Sequence, residues 1–231
     1  DQVFGYVGQE MGANAEYRCM PEDGLVAIKP ANMTYEEAAT IPYGGIMALS
    51  ILRRVNLQSG QSILVNGASG GIGSLAVQLA KYYGAKVTGV CSTPRLEYVE
   101  SLGADKVIDY SREDFTQSGE TYDVVFDILG KSTFARCKRV LRPNGIYLLA
   151  SFKTKKLIEM LWTSLMSMLL GRRGAKKVIC AFANEKVDDL ILLKDLAEEG
   201  KIQAIIDRCY ALNETAQAHR YIESGQKIGN V

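Results

Sequence analysis

The sequence lacks the cysteine pattern of a disulfide framework or a clustered zinc site. Its five cysteines are far apart, odd in number and never spaced as Cys-x-x-Cys. We therefore expect reduced thiols, no bound metal and a cytoplasmic location. The longest apolar run, residues 157–170, contains Glu159 and three hydroxyl side chains and is too short to cross a bilayer. The first residues do not have the pattern of a signal peptide.

A strong charge of either sign is also missing. The 27 basic and 26 acidic residues give a formal net charge of +1, which provides no field that would attract nucleic acid or anionic lipid. The chain has 231 residues, 47% of them hydrophobic, and can bury a substantial core. These numbers favour a small-molecule substrate as the partner. The single histidine, His219, lies in a predicted C-terminal helix, where a solvated or half-buried role is expected rather than metal ligation.

An alternation of short apolar runs and helical patterns begins at Ser62 and is typical of βαβ units with a parallel sheet. We predict an α/β fold with a doubly wound sheet of six strands, at residues 62–66, 86–90, 106–108, 123–127, 145–150 and 177–182. A helix is predicted from Gly71, with Gly84 as its stop. A second helix is predicted from Thr34, which can form a capping box with Glu37, and a break is expected at Gly44 and Gly45.

Both ends of the chain depart from this alternation. Residues 1–30 predict short strands at 2–6 and 15–20, typical of part of an all-β domain. After the sixth strand the pattern predicts a helix at 185–199, a strand at 204–211 and a helix at 213–223. The first residue, Asp1, is not Met, and we expect the chain to be a fragment of a longer protein.

A glycine-rich motif lies directly after the first strand of the alternation and opens the first helix of the doubly wound part. It reads Val-Asn-Gly-Ala-Ser-Gly-Gly-Ile-Gly over residues 65–73. Glycines at 67, 70 and 73 permit a tight turn, close approach of a pyrophosphate and close packing of helix on strand. Because a strand precedes the motif and an amphipathic helix follows it, the sequence predicts dinucleotide binding at the helix N-terminus.

The end of the second strand indicates which dinucleotide is bound. An Asp or Glu commonly holds the ribose 2′-OH of NAD there, but this sequence has Cys-Ser-Thr-Pro-Arg at 91–95. The hydroxyls of Ser92 and Thr93 with the guanidinium of Arg95 suit a 2′-phosphate, so the prediction is NADPH. The alternative is that Arg95 is a surface residue that caps a turn.

The glycine spacing alone fits two families. Read through Gly67, Gly71 and Gly73, the loop resembles that of short-chain dehydrogenases, but about sixty residues precede it here. The one Tyr-x-x-x-Lys match, Tyr82 to Lys86, joins the end of a helix to a strand behind the nucleotide, so we interpret it as structural.

Five segments carry a resemblance to a different family, and together they extend over the whole chain: residues 1–5 (DQVFG), 38–42 (AATIP), 66–73, 102–105 (LGAD) and 227–231 (KIGNV). On these segments the chain resembles the medium-chain dehydrogenase/reductase superfamily, in its zinc-independent quinone oxidoreductase branch. The resemblance implies part of a GroES-like barrel at 1–30, a nucleotide domain at 31–183 and a return to the barrel domain at 184–231. It also implies that an N-terminal part is missing, and with it the polar residues that face the substrate.

The resemblance further implies NADPH-dependent reduction of a quinone or an α,β-unsaturated carbonyl, with a possible homodimer. A zinc-dependent alcohol dehydrogenase and a cofactor-binding protein without turnover are the alternatives. No catalytic proton donor is assigned. Met47 stands where relatives usually have a Thr that contacts the nicotinamide. The implied cofactor-binding residues are Met47, Ser69, Gly70, Gly71, Ile72, Gly73, Ser92, Thr93, Arg95, Tyr110, Leu129, Gly130, Ser151, Phe152 and Phe182.

Residues 153–177 form an insertion between the fifth and sixth predicted strands, with an apolar run and the basic pair Arg172 and Arg173. We expect a packed helix followed by a solvated loop. A lid over the substrate mouth and a dimer contact are the alternatives.

Overall fold

The structure is a computed structural model that describes residues 1–8, 10, 12–150, 175–180 and 184–231. Its central feature is a six-stranded, wholly parallel sheet with the strand order β5-β4-β3-β6-β7-β8. The strands are β3 (Ser62–Asn66), β4 (Lys86–Cys91), β5 (Lys106–Asp109), β6 (Tyr122–Asp127), β7 (Leu141–Leu149) and β8 (Lys177–Cys180). The predicted doubly wound α/β fold and its six strands are therefore confirmed.

Helices cover both faces of this sheet. They are α1 (Tyr35–Arg54), α2 (Gly71–Tyr82), α3 (Leu96–Ser101), α4 (Phe134–Cys137) and α5 (Val187–Glu198). A further helix, α6 (Thr215–Glu223), has no buried residue. Alternate residues of the strands enter two cores: Ile63 and Val65 pack with α1, α2 and α5, whereas Leu64 packs on the opposite face with residues of β4 to β8. Strands buried on both faces account for the continuous apolar runs of the sequence.

A separate two-stranded antiparallel sheet precedes α1 in the chain. It is formed by β1 (Val3–Gly5) and β2 (Val26–Ile28), with Phe4 opposite Ala27. The first of the two predicted strands is confirmed. The strand predicted at 15–20 is wrong, because that stretch is a bend followed by irregular, exposed chain and the partner strand comes only at Val26–Ile28. The predicted domain boundaries stay a prediction.

Helix α1 is continuous, so the break predicted at Gly44 and Gly45 is wrong. Thr34 and Glu37 form the predicted capping box at its start. A Cβ at Gly44 would lie 2.4 Å from the carbonyl oxygen of Gly71, and a Cβ at Gly45 would lie 2.7 Å from Leu193 of α5. The two glycines therefore serve close helix packing and do not end the helix.

The C-terminal region agrees with the sequence in its two helices, α5 and α6, but not in the strand predicted at 204–211. In that stretch the chain forms only a single bridge, between Ile206 and Asn230. The apolar residues Ala204 and Ile205 pack instead against the main core as irregular chain. Most of the predicted insertion at 153–177 lies outside the described residues, as do Ser151, Phe152 and Phe182.

Candidate functional site

The candidate site lies where the carboxyl ends of the central strands meet. Strand β3 has β4 on one side and β6 on the other, and the chain passes from the β5 edge back across β3 to reach β6. The strand order therefore reverses between β3 and β6. Open α/β sheets bind their ligands in the crevice outside such a reversal.

The glycine loop joins β3 to α2 at this reversal. Gly67 has a φ of 98°, a left-handed conformation that favours glycine. A Cβ at Gly73 would lie 2.0 Å from the carbonyl oxygen of Gly67, so only glycine lets the helix begin this close to the strand. The loop has the geometry that the sequence predicts.

The first turn of α2 presents its amides to the crevice. The first helical hydrogen bond is donated by the amide of Ser74 to the carbonyl of Gly70, at 2.8 Å. The amides of Ile72 and Gly73 come before that bond and lie outside the helical ladder, and Gly70 has no side chain to cap them. The amide of Gly71 faces the carbonyl of Gly229 in a parallel bridge between Gly70 and Gly229. Uncapped amides, with the positive end of the helix dipole, favour an anion. The side chain of Ile72 packs on the core behind them.

A segment from the C-terminal region lies across the glycine loop. The amide of Gly229 donates to the carbonyl oxygen of Ser69 at 2.8 Å, and Gly229 forms an isolated parallel bridge with Gly70. The Oδ1 atom of Asn230 lies 2.6 Å from the position that a Cβ on Gly71 would take. The sequence motif at 227–231 supports the family resemblance, but sequence reasoning did not place it at the site. No local pattern signals a contact between such distant segments.

Ser92, Thr93 and Arg95 lie together after β4, on a short 3₁₀ turn at Thr93–Arg95. The hydroxyl of Thr93 donates to the carboxylate of Asp109 at the end of β5. The guanidinium of Arg95 donates to the carbonyl of Gly225, in the segment that follows α6. The structure thus brings the three predicted residues to the carboxyl end of β4. Their role toward a 2′-phosphate stays a prediction.

The ionised carboxylate of Asp109 fixes the turn after β4, a corner of the site that carries Ser92, Thr93 and Arg95. Hydrogen bonds from the Ser111 hydroxyl, at 2.6 Å, and from the Thr93 hydroxyl lower the pKa of the Asp109 carboxyl below its ordinary value. The carboxyl is therefore ionised at neutral pH and fixes the direction of the Thr93 hydroxyl. Sequence reasoning missed Asp109, although its position at the end of a buried strand was visible.

A cavity of about 150 Å³ opens between the ends of β5 and β6. Tyr110, whose side chain is 53% exposed, stands on one side of it, and Leu129, 43% exposed, stands on the other. The amide of Tyr110 is fixed by a 3.0 Å hydrogen bond to the carbonyl of Cys91. The cavity lies beside the glycine loop, because the Leu129 side chain packs over Gly67.

Asp127, at the end of β6, is a fully buried carboxylate with 0% exposure. It accepts hydrogen bonds from Asn66 at 2.9 Å, the amide of Gly130 at 3.0 Å, the amide of Ser132 at 3.1 Å and the hydroxyl of Tyr147 at 2.7 Å. Four donors compensate the charge for its loss of water. They also fix the turn that carries Leu129 and Gly130.

The Tyr147 hydroxyl in this cluster stays protonated. Burial and the negative charge of Asp127 both raise the pKa of the hydroxyl above its ordinary value. It therefore acts as a hydrogen-bond donor across the physiological range. We define Asn66, Asp127, Gly130, Ser132 and Tyr147 as the Asp127 cluster. Sequence reasoning missed it, and its one signal was a charged residue ending an otherwise apolar strand.

Met47 lies on α1, one turn beyond Gly44, the glycine that touches Gly71. Residues three apart share a helix face, so Met47 lies on the face of α1 that carries Gly44. Its side chain is half-buried. Its contact with a nicotinamide stays a prediction.

Within the described residues, no group of three or more His, Cys, Asp and Glu side chains could hold a metal ion. The two buried thiols near the site are also poor nucleophiles. Burial raises the pKa of both Cys91 and Cys137 to about 11, which keeps them protonated at neutral pH. In the same described ranges, no helix is long and apolar enough to cross a membrane.

Comparisons with known proteins agree with this geometry. The chain is 34% identical to a 2-methylene-furan-3-one reductase of Solanum lycopersicum, over 100% of the chain and 56% of the relative. It is 32% identical to an NADPH-dependent alkenal/one oxidoreductase, chloroplastic, of Arabidopsis thaliana, over 100% of the chain and 57% of the relative. A solved quinone oxidoreductase from Coxiella burnetii superimposes with a TM-score of 0.75 at 25% identity, over 89% of this chain and 62% of that one.

The chain thus spans less than two thirds of the length of these proteins. Residues 102–231, more than half of the chain, match the family model described as zinc-binding dehydrogenase. The chain belongs to the zinc-binding dehydrogenase family, part of the medium-chain dehydrogenase/reductase superfamily.

Proposed function

We propose that this chain binds NADPH across the carboxyl edge of its sheet, as part of an enzyme that reduces a quinone or an α,β-unsaturated carbonyl. The observation that carries the proposal is the glycine loop, which opens α2 with uncapped amides at the reversal of strand order. A pyrophosphate would accept from the amides of Ile72 and Gly73, on the positive end of the helix. The Cβ clash at Gly73 supports a loop built for close approach.

The remaining predicted residues would contact different parts of the bound dinucleotide. Ser92, Thr93 and Arg95 would face the adenosine 2′-phosphate, because they lie at the end of β4. Tyr110 and Leu129 would flank the adenosine in the cavity between β5 and β6.

Two further positions would support the nicotinamide half. Gly130, held by Asp127, would lie toward it. Met47 on α1 would contact it with a thioether in place of a hydroxyl. Ser151, Phe152 and Phe182 stay predictions, since they lie outside the described residues.

The reduced nicotinamide, when bound, supplies the hydride. This chain's own contribution is to position the cofactor and to exclude water. The names of the relatives support an activated double bond or a quinone as the acceptor, since they refer to a furanone, alkenals or enones, and quinones. No residue of this chain is assigned as a proton donor.

We also propose a small-molecule substrate, a homodimer and a cytoplasmic location. The substrate class follows from the relatives' names and the near-zero net charge. The homodimer and the cytoplasmic location stay predictions, and one relative carries a chloroplast name.

A titration tests the cofactor proposal. The protein is titrated with NADPH and with NADH while the nicotinamide fluorescence is followed, and NADPH is expected to saturate at the lower concentration. Arg95→Ala should weaken NADPH by about 10- to 100-fold, because a charge-assisted bond to phosphate contributes about 1.5–3 kcal/mol. NADH should change much less.

Arg54→Ala is the matched control, since Arg54 is an exposed arginine in the last turn of α1, before the amino end of β3. An equal loss of NADPH and NADH affinity in Arg95→Ala would refute the phosphate assignment. The absence of saturation by either nucleotide would refute the cofactor proposal itself.

A further inference from the structure

The loop that follows α6 places a second cation beside the corner assigned to the 2′-phosphate. The guanidinium of Arg95 donates to the carbonyl of Gly225, which draws the loop against the end of β4. Two residues later, Lys227 turns its ammonium inward and donates to the carbonyl of Gly229 at 2.7 Å. Gly229 in turn donates to Ser69 in the glycine loop. Lys227 thus lies between Arg95 and the glycine loop.

The charges of Lys227 and Arg95 act on each other. Burial lowers the pKa of the Lys227 ammonium, and the positive charge of Arg95 lowers it further. Asp207 acts in the opposite direction, but its carboxylate is already engaged by the Tyr221 hydroxyl at 2.7 Å and the Ile228 amide at 3.1 Å.

Within the described part of the chain, neither cation forms a salt bridge. Two like charges held together in a half-buried corner repel each other. An anion placed between them would relieve that repulsion.

We propose that Lys227 is a second cationic ligand of the adenosine 2′-phosphate, paired with Arg95, and that the segment 225–229 thereby helps to select NADPH over NADH. This inference rests on the proposed function, because it assumes that the nucleotide lies along the glycine loop. The 2′-phosphate carries almost two negative charges at neutral pH, which matches two cations better than one. The adenosine of NADH has only a hydroxyl at that position, so Lys227 would remain repelled by Arg95 in the NADH complex.

The test compares three variants of the full protein by titration with NADPH, NADH and 2′,5′-ADP. Lys227→Met removes the charge and keeps most of the side-chain length, and Lys227→Arg keeps the charge. Lys201→Met is the matched control, because Lys201 is an exposed lysine after α5. We expect Lys227→Met to weaken NADPH and 2′,5′-ADP by about 10-fold or more. We expect NADH to change by less than about 2-fold in that variant, and Lys227→Arg and Lys201→Met to resemble the unmodified protein.

The outcomes separate the inference from the proposed function. If the unmodified protein prefers NADPH and Lys227→Met weakens both nucleotides equally, Lys227 supports the glycine loop through Gly229 and the inference is overturned. Unchanged NADPH and 2′,5′-ADP affinity in Lys227→Met overturns it as well. If the unmodified protein binds neither nucleotide, the proposed function fails and the inference fails with it.

Discussion

The Asp127 cluster predicts the effect of removing a single hydroxyl from the core. Tyr147 is 1% exposed, and its hydroxyl donates to the fully buried Asp127 at 2.7 Å. Tyr147→Phe keeps the ring and its packing but leaves the carboxylate with three donors. Tyr122 offers a matched comparison, because it is 3% exposed and its hydroxyl donates to Glu120 at 2.9 Å. The Glu120 side chain, however, is 45% exposed.

The environments of the two carboxylates set the magnitudes. A hydrogen bond to a charged group contributes about 1.5–3 kcal/mol, and at Asp127 water has no access to replace it. We therefore expect Tyr147→Phe to lower the free energy of unfolding by about 2–3 kcal/mol. Water can replace the lost donor at Glu120, so Tyr122→Phe should cost less than about 1 kcal/mol.

Urea unfolding at neutral pH, followed by circular dichroism, measures both changes on the same scale. For a chain of this size, Tyr147→Phe should also lower the Tm by roughly 4–10 °C. Equal losses in the two variants, or a Tyr147→Phe protein as stable as the unmodified one, would refute the reasoning that burial makes the Asp127 hydrogen bonds valuable.

Two further predictions concern the glycine loop and the cavity. Gly73→Ala should weaken NADPH and NADH alike by more than about 10-fold, because its Cβ meets the Gly67 carbonyl at 2.0 Å. At Gly119 a Cβ meets nothing within 4 Å, but the φ of 77° makes alanine strained there. Gly119→Ala should therefore lower stability and leave the nucleotide affinity of the folded protein unchanged in the same titration. A Gly73→Ala protein with normal affinity would contradict the close-approach argument. At Asp114, burial acts to raise the pKa of the carboxyl, but hydrogen bonds from Thr116, Gln117 and Arg136 outweigh it and lower the pKa to about 2. The stability that this carboxylate contributes is present above the unfolded pKa of 3.8 and is lost as the pH falls through about 2. The difference in unfolding free energy between the unmodified protein and Asp114→Asn should therefore shrink between pH 4 and pH 2. A constant difference in urea unfolding over that range would contradict this prediction.

The parts of the fold that depend on local pattern could be predicted from the sequence. The limits of β3 and the start of α2 follow from an apolar run that ends in a glycine motif, and both are confirmed. The six-strand alternation is confirmed for the same reason. Each buried strand has its own apolar signature, which does not depend on the rest of the chain.

Features that depend on distant contacts could not be predicted. Gly44 and Gly45 have the local signature of a helix break, yet they serve packing against α2 and α5. The stretch 204–211 has the composition of a strand, but it pairs only through a single bridge, and Ala204 and Ile205 pack on the core instead. Asp127 accepts from four donors that lie on β3, on β7 and in the loop after β6. The sequence near Asp127 does not predict which residues these donors are.

The hydrogen bond between Gly229 and Ser69 joins a segment that is synthesised last to a loop that is synthesised early. The strand–loop–helix unit at residues 62–82 can leave the ribosome and fold early, since its contacts are short in sequence. The glycine loop in this unit gains the hydrogen bond from Gly229 only when residues 227–230 have been synthesised. We therefore expect nascent chains that stop short of this segment to collapse around β3 and α2 without gaining full affinity for nucleotide.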